Sequence, residues 1–104
     1  MKAGNDLSRE DVLHHLRSRK GHFRKAYHVR KIALIGSFAR NEYDAQSDID
    51  VLVDLEEGTP DIFDVKRALK QELEERFGRP VDIASERYLK PYYRTQILQE
   101  AVYA

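Results

Sequence analysis

Residues 36–50 read Gly-Ser-Phe-Ala-Arg-Asn-Glu-Tyr-Asp-Ala-Gln-Ser-Asp-Ile-Asp. A Gly-Ser turn closes one apolar segment, and an Asp-x-Asp pair opens the next. A gap sized for a phosphate therefore stands beside two carboxylates that point the same way. Two such charges repel each other, and an Asp at the buried end of a strand is costly unless it is paired or ligates a metal. A divalent cation relieves both problems, and hard oxygen ligands with open water positions suit Mg²⁺. The chemistry implied is metal-assisted transfer at a phosphate. An exposed edge strand with water-facing aspartates would also show Asp-x-Asp. The Gly-Ser-x-Ala-Arg at fixed distance is what argues for a site.

The surrounding pattern says which elements hold these residues. Residues 31–35 are a short aliphatic run ended by Gly36, which reads as a buried strand. Along 48–55, Ile49, Val51 and Val53 share one face, while Asp48, Asp50, Leu52 and Asp54 share the other. Ser8 with Asp11 three residues on, flanked by Leu7 and Val12, makes a helix start with a cap and a hydrophobic staple. Val12, Leu13 and Leu16 extend its apolar face to about residue 19, and Gly21 is expected to break it before another turn or two of helix over 22–27. Thr59-Pro60 is expected to open the next helix with proline in its first position. Ile62, Val65, Leu69, Leu73 and Phe77 recur at helical spacing until Gly78 and Pro80 end it. Residues 81–84 form a short third strand, and Pro91 starts a last helix with Ile97, Leu98 and Ala101 inward.

If the two motifs share a site, the end of the first strand meets the start of the second, and those strands are antiparallel neighbours. The helix between strands two and three is a crossover of the length that parallel strands require. Strand three then begins at the same edge as strand two, bringing Asp82 beside Asp48 and Asp50. The expected fold class is α/β (α+β), a small mixed three-stranded sheet flanked by helices, in one domain over 1–104.

Each candidate also has a plainer use. Asp82 points away from the core-facing Val81 and Ile83, as a surface Asp on an edge strand would. Gly36 lets a phosphate approach the backbone with no Cβ in the way. Ser37 can donate its hydroxyl and N–H to a phosphate oxygen at the start of a short helix, or simply cap that helix. The planar fork of Arg40 suits a phosphate or the acceptor, and a salt bridge to Glu42 or Asp44 competes for it.

Gly36-Ser37-Phe38-Ala39-Arg40 followed by Ser47-Asp48-Ile49-Asp50 resembles the signature of the DNA polymerase β-like nucleotidyltransferase superfamily. The small size resembles its minimal nucleotidyltransferase (MNT) branch. The resemblance runs from the helix at Ser8 to the carboxy-terminal helix, and it implies a polymerase β palm-like fold. It further implies that Asp48 and Asp50 bridge two Mg²⁺ ions, that Asp82 is the third carboxylate, and that Gly36, Ser37 and Arg40 bind the phosphates of ATP. MNT proteins are typically antitoxins encoded beside a HEPN-domain ribonuclease toxin. The implied function is thus the antitoxin of a type VII-like pair, moving AMP from ATP onto a tyrosine hydroxyl of that toxin. A binding-only antitoxin and a small-molecule adenylyltransferase are the alternatives, the latter usually needing a second domain. The family usually carries Gly after the Arg, where this chain has Asn41. Asn is the residue next most tolerant of a left-handed backbone.

Composition narrows the class. No hydrophobic stretch reaches membrane-spanning length and the amino terminus lacks a signal-peptide pattern. With no cysteine, disulfides and thiolate zinc are excluded, which fits a cytoplasmic protein. The net charge of zero hides an asymmetry: residues 41–64 hold nine Asp/Glu and no Lys or Arg, whereas 1–40 hold ten Lys/Arg and three Asp/Glu. The acidic block favours a bound cation. The basic segment could receive nucleotide phosphates or an acidic partner, although single lysines there read as solvated. His14, His15, His22 and His28 lack ligand spacing and read as surface histidines. Tyr88, Tyr92, Tyr93 and Tyr103 suit core or interface packing more than base stacking.

Overall fold

The computed structural model describes residues 7–104. Helices α1 (Arg9–Ser18) and α2 (Lys20–Tyr27) lead into strand β1 (Val29–Ile35) and the single turn α3 (Gly36–Ala39). Strand β2 (Ile49–Leu55), helix α4 (Ile62–Phe77), strand β3 (Val81–Ser85), helix α5 (Pro91–Glu100) and strand β4 (Val102–Tyr103) complete the order. The sheet runs β3-β2-β1-β4. As expected, β1 and β2 are antiparallel and β2 and β3 parallel. The fourth strand was not expected: Val102 and Tyr103 pair with Leu34 and Ala33. Two residues are too few to show alternation, so only their placement beside β1 reveals them.

The two faces of the sheet are covered differently. Ile49, Val51 and Val53 enter the main core with Val12, Leu16 and Phe23 of the first helices and Leu69, Leu73 and Phe77 of α4. On the other face Leu52, Ala33 and Ile35 meet Ile97, Leu98 and Ala101. The alternation along β2 thus assigns one residue set to each layer, and Asp50 shares the α5 side with Leu52. Asp54, also on that side by spacing, is buried at the far end of the strand and paired with Arg30.

Local chemistry explains the boundaries. The Ser8 hydroxyl accepts from Asp11 N–H and the Asp11 carboxylate from Ser8 N–H, a complete capping box worth about 1 kcal/mol. Gly21 does not break the helix. It lies inside α2, and the break falls at Arg19. Proline does not open α4 either, because Asp61 is its N-cap, at φ 52°. Gly78 ends α4 at φ 68° and Pro91 starts α5, both as the spacing suggests. Among the described residues no helix is long and apolar enough to cross a membrane.

Candidate active site

The strand register assembles the site. Asp50 is the cross-strand partner of Ile35 on one side and of Asp82 on the other. Because Gly36 follows Ile35, the Gly-Ser turn abuts the Asp50 carboxylate. Gly36 adopts φ 73°, and a Cβ added there would collide with Asp50 Oδ2. Glycine is therefore required both by the dihedral and by the neighbouring carboxylate. Gly36, Asp50 and Asp82 are brought together as expected, with Asp48 two residues ahead of Asp50 just outside the strand.

Their burial differs from expectation. Only Asp50 is half-buried, whereas Asp48 and Asp82 are exposed. Burial pushes the Asp50 pKa up, and the negative charges of Asp82, Asp48 and Glu100 push it further, with Arg40 opposing. Among the described residues no group of three His, Cys, Asp or Glu side chains forms a ready-made metal cage. The donor set nevertheless fits Mg²⁺, which takes one or two carboxylates and completes its shell with water and substrate phosphates.

Ser37 lies inside α3, whose N-cap is Ile35, so it does not serve as a plain helix cap. Arg40 pairs with Glu42 at 3.4 Å, the salt bridge that competes for it, and more closely with Glu100 at 2.9 Å. Glu100 also accepts from Gly36 N–H at 3.1 Å. No signal in the sequence singled out Glu100, since it is a lone acid at the end of a helix 64 positions from Gly36. Asn41 occupies the left-handed region at φ 61°, a backbone that asparagine tolerates.

Sequence reasoning also missed Arg79. It is 7% exposed, and its Nη1 donates to the carbonyls of Asp44 (2.9 Å) and Ser47 (2.8 Å). The guanidinium sits 5.1 Å over the Phe38 ring, which stacks on Tyr43 at 4.1 Å. Asp44 and Ser47 close the loop on themselves, with Asp44 N–H donating to Ser47 Oγ and Ser47 N–H to Asp44 O. Arg79 therefore clamps the segment that delivers Asp48, from a position three residues before Asp82. The only sequence hint was an Arg between the helix-ending Gly78 and Pro80.

Other candidates fall elsewhere. His14 and His28 are exposed, but His15 and His22 are not simple surface histidines. The His15 ring packs edge-on against Phe77 at 5.3 Å, and His22 Nε2 contacts Glu72 at 2.8 Å. The four tyrosines are not core: Tyr88, Tyr92, Tyr93 and Tyr103 are all exposed. Tyr103 donates to Glu86. A groove beside Asp82 is lined by Phe63, Lys66, Arg67, Lys70 and Ile83. A cavity lined by Leu55, Ile62 and Tyr88 lies at the other end of the sheet and contains none of the site carboxylates.

The chain has counterparts among known proteins. Residues 16–104 match the nucleotidyltransferase domain family. Protein adenylyltransferase MntA of Thermococcus cleftensis is 34% identical over 97 residues, covering 93% of this chain and 96% of that protein. A solved minimal nucleotidyltransferase is similar in structure, with TM-score 0.76 and 35% identity over 92% of this chain and 95% of the other. A toxin–antitoxin crystal structure with AMP-PNP shares the fold at TM-score 0.65 and 21% identity, over 93% of this chain and 72% of that one.

Proposed function

The chain belongs to the nucleotidyltransferase domain family, in its minimal branch, and from that premise we propose that it is an antitoxin that adenylylates its toxin. It would move AMP from ATP to a tyrosine hydroxyl of a partner HEPN ribonuclease, in the cytoplasm. The observation that carries this reading is the Asp50–Asp82 register beside the Gly36–Ser37 turn. Two carboxylates and a glycine turn meet there within one row of the sheet. The name of the MntA relative and the toxin–antitoxin assembly with AMP-PNP support the direction.

In the proposed reaction, the Gly36 N–H, Ser37 hydroxyl and Arg40 guanidinium hold the phosphates of ATP. Asp48, Asp50 and Asp82 would hold two Mg²⁺ ions, which neutralise phosphate charge and lower the pKa of the acceptor hydroxyl. The tyrosine oxygen forms a bond to the α-phosphorus while the bond to the bridging oxygen of the β-phosphate breaks. Pyrophosphate leaves, and the tyrosine proton passes to Asp82 or to solvent. A nucleotide attached near a ribonuclease site blocks RNA by charge and bulk. The shallow, open carboxylate row suits an acceptor presented by another protein. Asn41 holds the left-handed backbone at φ 61°, which is compatible with the transferase reading.

The test is the mass of the partner toxin after incubation with this chain, ATP and Mg²⁺. Whole AMP units on tyrosine, added by substoichiometric antitoxin, are expected. Neutralisation that needs equimolar antitoxin and leaves the toxin mass unchanged would replace the transferase with the binding-only antitoxin.

A further inference from the structure

Glu100 occupies the corner where a nucleotide phosphate would meet the Gly-Ser turn. Its two oxygens engage two different donors, Oε1 accepting from Gly36 N–H at 3.1 Å and Oε2 from Arg40 Nη1 at 2.9 Å. A turn N–H and a guanidinium set side by side are the donors that recognise the oxygens of a phosphate. The Glu100 side chain is only 15% exposed and its bond to the Gly36 N–H is partly buried, while Arg40, 43% exposed, holds it from the solvent side. It also adds a negative group to a place that already holds Asp48, Asp50 and Asp82, and its charge acts on Asp50. Helix geometry does not ask for an acid there either, since the last turn of a helix favours cations. What holds Glu100 in place is its pair of donors.

We propose that Glu100 is a placeholder for the nucleotide phosphate, filling the Gly36–Arg40 corner in the free protein and yielding it to the incoming anion. The inference rests on the nucleotide-binding reading above and deepens it by naming what the nucleotide must displace. In the free protein the placeholder keeps a turn N–H and an arginine paired, sparing the partly buried Gly36 N–H the cost of an unsatisfied donor. Competition between carboxylate and phosphate then sets the affinity, and Glu100 acts through Gly36 and Arg40 as a positioning residue.

Glu100→Gln keeps the shape and removes the charge. Binding of ATP and of inorganic tripolyphosphate, each with Mg²⁺, is measured by calorimetry on the full chain and on the variant. The variant is expected to bind both about tenfold more tightly, the scale of one charge-assisted hydrogen bond. A folded variant that binds ATP as the parent does, or more weakly, makes Glu100 a structural strut and overturns the proposal while the nucleotide reading stands. Absence of binding by both proteins overturns both. Should the variant not fold, the parent alone decides by nuclear magnetic resonance. The Gly36 amide and the Glu100 carboxyl carbon must both shift on saturation with tripolyphosphate, and a Glu100 signal unmoved by bound tripolyphosphate refutes displacement.

Discussion

Asp50→Asn is the substitution whose effects on stability and on activity should run in opposite directions. In the folded protein Asp50 is half-buried and faces Asp82, Asp48 and Glu100, so its ionised form is disfavoured and its pKa is raised. A carboxylate with a raised folded pKa binds its proton more tightly in the fold than in the unfolded chain. Stability from this group is therefore fully present below the unfolded value, near 3.9, and is lost as pH rises through the folded pKa. At pH 7 the parent carries that penalty in full and the isosteric amide does not. Since the site opens onto solvent, the penalty is discounted to about 0.5–1 kcal/mol, or a rise in Tm of about 2–6 °C for a domain of this size. Circular dichroism melts in chelator at pH 7 and pH 3.5 check it. The gain should be present at pH 7 and absent at pH 3.5, where both side chains are neutral. AMP transfer should meanwhile fall by at least about a hundredfold, and added Mg²⁺ should raise the Tm of the parent but not of the variant. A variant that melts below the parent at pH 7, or gains equally at both pH values, would refute the crowded-carboxylate account.

The other expectations concern parts around the carboxylates. Gly36→Val places a Cβ against Asp50 at φ 73°, which should cost at least about 1–2 kcal/mol and abolish ATP binding. Ser37→Ala should only weaken binding, and equal affinities in a titration would place the nucleotide elsewhere. Arg79→Met leaves the Asp44 and Ser47 carbonyls without their buried donor. Chemical denaturation should show a loss of about 2–4 kcal/mol, and a loss below 0.5 kcal/mol would mean that the clamp is dispensable. His15 is held neutral, its pKa lowered first by burial and then by Arg76 and Arg19, with Glu72 opposing. The unfolded chain then takes up the proton first, so stability should fall as pH drops from about 6.5. His15→Leu should flatten the Tm profile between pH 6.5 and 5, and an unchanged slope would exonerate His15.

What the sequence made legible follows the range of the interactions. Periodicity is local, so the apolar faces of α4 and β2 and the turn at Gly36 could be read directly. The order of β1, β2 and β3 followed from requiring two motifs to share one site, and the register of Asp50 with Asp82 bears it out. Helix boundaries were less secure, because Gly21 and Pro60 are weak local preferences. Tertiary context overrides these by letting glycine sit inside α2 and by starting α4 at Asp61. Asp54 shows the same limit in another form. Spacing assigns it to the face of Asp50 at the far end of the strand, but its burial and its pairing with Arg30 of β1 are visible only in the fold.

The residues missed at the site are those whose partners lie far along the chain. Glu100 meets Gly36 across 64 positions, and Arg79 meets Ser47 across 32. Neither contact leaves a period, a spacing or a turn residue to find. Both side chains are charged and sheltered, which sets them apart from ordinary surface charges, but burial is a property of the fold and not of residue type. The division has a physical cause. Carboxylates and a glycine turn must sit at strand ends to do chemistry, so their spacing is written into the strands. The groups that hold a loop or fill an anion corner need only reach, and a long side chain reaches from whichever element happens to be near. Arg79 reaches from the connection before β3, and Glu100 from the last turn of α5. In so small a fold the last turn of α5 reaches the Gly-Ser turn through Glu100, so this helix can set how strongly that turn receives an anion.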